Sequence, residues 1–84
     1  MQIRIRLTSI SDVKEFVDIN NKYIFDINAH SEKFVVDAKS ILGMFSLDLS
    51  KELYVRAKGK NVAEYKQIYE YIKEIKKFVL TEEK

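Results

Sequence analysis

The 84-residue sequence has no cysteine, no proline and no tryptophan, and only two glycines and one histidine. Without cysteine there is no disulfide framework and no thiol chemistry. One histidine leaves only carboxylates as companion ligands, so no metal site is expected. The lack of proline and the scarcity of glycine point to tightly joined elements with no flexible linker. There is no internal repeat and no low-complexity segment. No apolar run is long enough to cross a bilayer and no signal-peptide pattern opens the chain, so a cytoplasmic location without membrane insertion is expected. Neither sign of charge dominates. Fifteen basic and 13 acidic side chains give a net +2, too near neutral to require a nucleic-acid partner. Paired carboxylates, a Ser-His pair and a glycine-rich phosphate loop are also missing, so no enzyme activity and no cofactor are expected.

What is present suits a single folded domain over residues 1–84, with 46% hydrophobic and 33% charged residues. Gln2–Leu7 alternates, with Ile3, Ile5 and Leu7 on one side, and reads as a half-buried strand. Ser9 with Asp12 three residues on is a variant capping box, and Ile10, Val13, Phe16 and Val17 then mark one face of a helix ending near Asn20-Asn21. Tyr23–Ala29 and Glu32–Ala38 alternate again and predict a hairpin, with His30-Ser31 between the strands. In that pattern Phe34, Val36 and Ala38 share one side, and His30 is an exposed turn residue. Leu53, Val55 and Ala57 alternate with Tyr54, Arg56 and Lys58 in a fourth strand. Asn61 and Glu64 cap a long last helix whose apolar stripe is Val62, Tyr65, Ile68, Tyr69, Ile72, Ile75 and Val79. The order β-α-β-β-α-β-α predicts an α+β, two-layer, open-faced sandwich with one sheet face left to water. If the first and fourth strands pair, that open face carries Arg4, Arg6, Arg56, Lys58 and Tyr54. A basic face with an aromatic is one way to bind single-stranded nucleic acid, but a charged face that resists association is far more common.

The most informative run is Asp37–Leu47. Ser40 stands where a helix N-cap is expected, able to accept from the N–H of Leu42 or Gly43. Ile41, Leu42, Met44, Phe45 and Leu47 follow, five large apolar residues within seven positions. Seven consecutive residues cover a helix all round, so one short helix cannot turn them all inward, and those left outside form a docking patch.

The segment Lys39-Ser40-Ile41-Leu42-Gly43-Met44-Phe45-Ser46-Leu47 resembles the regulatory-serine region of the HPr phosphocarrier family of the bacterial sugar phosphotransferase system. The resemblance implies the HPr sheet, four antiparallel strands in the order 1-4-2-3 covered on one face by three helices. It implies a regulatory phosphorylation at Ser40 by an HPr kinase/phosphorylase. It also implies protein partners meeting Ile41, Leu42, Met44, Phe45 and Leu47, a transcriptional regulator among them. The family carries its phosphate on a histidine in a His-Ala-Arg-Pro segment. Counting back from Lys22-Tyr23, which is similar to the family's Lys-Tyr, Ser9 falls at that histidine, Ser11 at the arginine and Asp12 at the proline. Serine phosphate is too stable to pass on, and Asp12 repels an incoming phosphoryl group. The expectation is therefore an HPr-like regulatory or adaptor protein without histidine phosphotransfer, like the catabolite-repression relatives that keep the serine and lack the histidine. The alternative is an HPr-fold binding module with no role in sugar transport.

Overall fold

In a computed structural model, which describes residues 2–80, the chain folds as the α+β sandwich expected from the resemblance. The strands are β1 (Gln2–Ile5), β2 (Asp26–His30), β3 (Val35–Asp37) and β4 (Leu53–Lys58). The helices are α1 (Ile10–Asn20), α2 (Ile41–Phe45) and α3 (Val62–Glu74), followed by one 3-10 turn at Lys76–Phe78. The sheet is wholly antiparallel in the order β1-β4-β2-β3.

Period-two alternation produces the layer structure directly. Ile27 and Ala29 of β2, and Leu53, Val55 and Ala57 of β4, turn to one face and are buried. Val13, Phe16 and Val17 of α1, Ile68 and Tyr71 of α3, and Ile75 just after it close over them. Met44 and Leu47 complete the core from the α2 side. Phe25 and Tyr71 meet edge to face with centroids 5.7 Å apart, and Phe16 and Phe78 do so at 5.9 Å.

Both capping pairs form, with a shared departure from the usual box. Ser9 Oγ accepts from Asp12 N at 3.0 Å, and Asn61 Oδ1 accepts from Glu64 N at 2.9 Å. The carboxylates then reach one residue further back than the cap. Asp12 takes Thr8 N and Thr8 Oγ1, each at 3.0 Å, and Glu64 takes Lys60 N at 2.9 Å. In each case a donor just ahead of the helix is satisfied and the entry angle of the chain is fixed.

Several expectations are corrected. β2 begins at Asp26, not Tyr23, and β3 holds only three residues. His30 is not a turn residue. It is the last residue of β2, half-buried and paired with Val35 and Tyr54. The turn is Ser31–Phe34, closed by Ser31 N to Phe34 O at 2.8 Å. Phe34 therefore precedes the strand and is 63% exposed. Ile10, in the first turn of α1, is also exposed. The last helix stops at Glu74. Beyond it Arg6 N donates to Phe78 O and Leu80 N to Arg4 O, each at 2.9 Å, so the chain returns alongside β1. Of the expected stripe, Ile68 and Ile75 are buried and Ile72 and Val79 partly so, Tyr71 joins them, and Val62, Tyr65 and Tyr69 are exposed.

Candidate functional site around the start of the second helix

The entry to α2 is clamped by backbone and side chains together. Asp37 Oδ1 accepts from Lys39 N at 2.9 Å, and Asp37 O accepts from Ser40 N at 3.0 Å, which turns the chain out of β3. Two amide side chains at the end of α1 hold the next carbonyls. Asn20 Nδ2 donates to Ala38 O at 2.7 Å and Asn21 Nδ2 to Lys39 O at 3.0 Å. Lys39 Nζ donates to Tyr23 O at 2.5 Å, tying the same segment to the α1–β2 connection. Asn20 is the only buried polar residue among those described, and its second polar atom is also satisfied: Tyr71 Oη donates to Asn20 Oδ1 at 2.6 Å. Residues from α1, α3 and the β3–α2 connection thus meet at one buried amide. An unpaired amide there would cost about 1–3 kcal/mol, so the arrangement selects this placement of α2 over others.

Ser40 is the N-cap. Its backbone is extended, and Ser40 Oγ accepts from Gly43 N at 3.0 Å, the second of the two donors considered above. A Cβ at residue 43 would lie 3.3 Å from both Cβ and Oγ of Ser40, so the glycine leaves room for the capping hydroxyl. Ser40 itself is half-buried.

The five apolar residues after Ser40 separate into two sets. Leu42 is 79% exposed and Phe45 39% exposed, with Ile41 half-buried between them. Met44 and Leu47 belong to the core, Met44 with no exposure. The expectation that all five meet a partner is therefore corrected for Met44 and Leu47, which are buried, and only Ile41, Leu42 and Phe45 reach solvent. The reason is helical geometry: positions 44 and 47 share the side turned to α1 and the sheet.

At the start of α1, Ser9 and Ser11 are exposed, and the Ser9 hydroxyl is committed to the cap. Asp12 is held below the usual carboxylate range, first by the Thr8 backbone N–H, then by the Thr8 hydroxyl, with Ser9 and Lys77 adding smaller effects. The Asp12 carboxylate thus stands next to the capping hydroxyl of Ser9, where it repels other anions. His30 lies on the open sheet face beside Tyr54, at the opposite layer from the helices. Among the described residues no cluster of His, Asp or Glu could hold a metal ion, and no helix is long and apolar enough to cross a membrane. The open face is mixed in charge. Arg4 lies 3.6 Å from Glu52, Arg56 Nε donates to Gln2 Oε1 at 2.9 Å, and Asp26 pairs across the sheet with Lys58. Arg6 is placed beyond the end of β1, where it donates to Ser50 O at 2.9 Å.

A second polar cluster, not foreseen from sequence, joins the α1–β2 connection to the end of α3. Lys22 Nζ is 2.9 Å from Glu74 Oε2, and the Tyr23 hydroxyl donates to Glu74 Oε1. Glu74 is lowered, first by the Tyr23 bond and then by the Lys22 bond. Burial, followed by the bond to Glu74, pushes the Tyr23 hydroxyl up to about 12. Lys22-Tyr23 was visible as a dipeptide, but its partner is 51 residues away and no local signal marks it.

No protein-family model and no curated protein matches the chain in sequence. Solved structures do match. HPr-C-His from Thermoanaerobacter tengcongensis is 26% identical, with 90% of this chain and 89% of that one covered and a TM-score of 0.68. The Bacillus subtilis catabolite-repression protein Crh, which forms a dimer by an unexpected swapping of a domain, is 23% identical, with 94% and 90% covered and a TM-score of 0.62. The second likeness is one of fold. Strand order, element order and these neighbours agree, and the chain has the HPr-like fold.

Proposed function

We propose that this HPr-like protein is a cytoplasmic regulatory or adaptor protein, related to the phosphoenolpyruvate-dependent sugar phosphotransferase system, that does not carry phosphate on histidine. Its switch is phosphorylation of Ser40. The observation that carries the proposal is the pairing of a capping hydroxyl at Ser40 with exposed apolar side chains at Leu42 and Phe45. A cap requires only the serine. Exposed leucine and phenylalanine beside it have no folding rationale, and they suit a partner surface with an apolar centre. Phosphate on Ser40 would add about two negative charges beside the N–H groups that open α2, where charge-assisted bonds to those groups favour it.

The other helix offers no support for phosphocarrier chemistry. Ser9 is an N-cap with no imidazole to offer, and the Asp12 carboxylate stands beside it. His30, on the opposite face, has no helix N-terminus near it to stabilise a phosphoryl group. The partners implied by the family resemblance are an HPr kinase/phosphorylase that modifies Ser40 and a transcriptional regulator that reads the modified patch. Incubation with such a kinase and ATP, followed by mapping of the phosphate, tests the proposal. Incorporation that disappears in Ser40→Ala supports it, and no incorporation, or incorporation that persists in that variant, contradicts it.

A further inference from the structure

The two edges of the sheet are not alike. At the β1 edge the chain returns after α3, with Val79 bridging Ile5 and backbone bonds to Arg4 and Arg6. That edge is partly covered. At the other edge β3 ends the sheet, and among the described residues no strand lies beyond it.

The ladder to β2 fixes which backbone groups of β3 face outward. Ser31 N donates to Phe34 O and Ala38 N to Ile27 O, so Phe34, Val36 and Ala38 bond inward. The N–H and C=O of Val35 lie between these and face away from β2, as does the N–H of Asp37. Natural edges are usually blunted by inward charge, proline or a bulge. Across Phe34–Val36 this edge has none of them, its one protection being the three-residue length of β3, and Phe34 is 63% and Val35 61% exposed.

The order of residues makes the edge complementary to itself. Let a second copy lie antiparallel, with Val35 opposite the partner's Val35. Lys33, in the bend just ahead of the strand, is then brought near the partner's Asp37, and by symmetry Asp37 near the partner's Lys33. Phe34 falls opposite the partner's Val36, again twice, on the helix side of the sheet. The two Val35 residues are then a hydrogen-bonded pair, exchanging both of their outward backbone bonds.

We infer that the β3 edge is a homodimer interface, formed by antiparallel pairing of Phe34–Asp37 with a second copy of this chain about a two-fold axis through Val35. The two four-stranded sheets become one continuous sheet, and the pairing is isologous, the commonest symmetry for two identical chains. A strand this short gives a contact well under the roughly 1,600 Å² of a standard stable interface, so the dimer is weak and concentration-dependent. The edge adjoins the α2 cap, since Asp37 O accepts from Ser40 N, but the pairing does not require Ser40 to be phosphorylated.

Sedimentation equilibrium of the full chain, from about 10 µM to about 1 mM at low salt, reads the equilibrium directly. A monomer–dimer equilibrium is expected. Val35→Pro removes one outward N–H and no bond to β2, and is expected to abolish the dimer. Lys33→Glu, in the exposed turn, sets like charges against the partner's Asp37 at two places and is expected to raise Kd about tenfold. The second variant keeps the test decisive if Val35→Pro lowers the thermal midpoint. A monomer at every concentration overturns the inference. So does a dimer whose Kd Lys33→Glu leaves unchanged, the result expected of a dimer made by exchanging a segment elsewhere.

Discussion

Tyr71 Oη donates to Asn20 Oδ1 at 2.6 Å, and both residues are fully buried. Asn20 in turn donates to Ala38 O, two residues ahead of the α2 cap. Removing the hydroxyl strands a buried carbonyl oxygen, and the shape of the core is otherwise kept. Tyr71→Phe is expected to lower unfolding stability by about 1–3 kcal/mol in urea titration. A change under about 0.5 kcal/mol would show that the Asn20 junction does not set the position of α2.

The division of the α2 run into surface and core gives opposite outcomes for neighbouring residues. Leu42→Asp and Phe45→Asp are expected to shift stability by about 0.5 kcal/mol or less while abolishing partner binding. Met44→Ala opens a cavity in the core and is expected to cost about 2–5 kcal/mol. Urea midpoints of the three variants, measured side by side, check the division.

Ser40→Ala removes the α2 cap and leaves Gly43 N without its side-chain acceptor. The expected loss is about 0.5–2 kcal/mol, and Ser40→Asp, which can accept the same bond, is expected to restore most of it. A thermal midpoint equal to wild type in Ser40→Ala would mean that the cap contributes nothing.

Asp12 and Glu74 are both lowered in the folded state, Asp12 first through the Thr8 backbone bond and Glu74 first through the Tyr23 hydroxyl. A carboxylate lowered on folding contributes stability above its unfolded pKa of about 4, and that contribution is lost as pH falls through the folded value. Tyr23 has the opposite sign. Its folded value of about 12 lies above the usual phenol, so its contribution is present below pH 10 and is lost as pH rises from 10 to 12. The thermal midpoint is therefore expected to fall on both sides, below about pH 4 and above about pH 10. Glu74→Gln should flatten the acid limb and Tyr23→Phe the alkaline limb.

Much of the architecture is written in local pattern. Ile27, Ala29, Leu53, Val55 and Ala57 alternate with polar neighbours, and their burial follows from the pleat alone. Ser9, Ser40 and Asn61 announce three helix starts, and all three cap as their chemistry requires. What local pattern leaves open are choices settled at long range. Tyr65, Tyr69 and Tyr71 put aromatics on more than one face of α3, and Tyr71 is the one buried because Asn20, 51 residues away, accepts from its hydroxyl. The end of α3 at Glu74 carries no glycine or proline. It is set by the return of Val79-Leu80 to β1, a pairing with residues at the far end of the sequence. Met44 and Leu42 are equally apolar in sequence, and only the packing of α2 onto α1 and the sheet distinguishes core from surface.

Intact-mass spectrometry of the chain in two incubations tests the central claim most directly. One contains enzyme I with phosphoenolpyruvate, the other an HPr kinase with ATP. The account predicts one added phosphoryl group in the kinase incubation alone, stable to acid and absent from Ser40→Ala. Acid-labile phosphate acquired from enzyme I, and lost when His30 is replaced, would contradict it and make the protein a phosphocarrier.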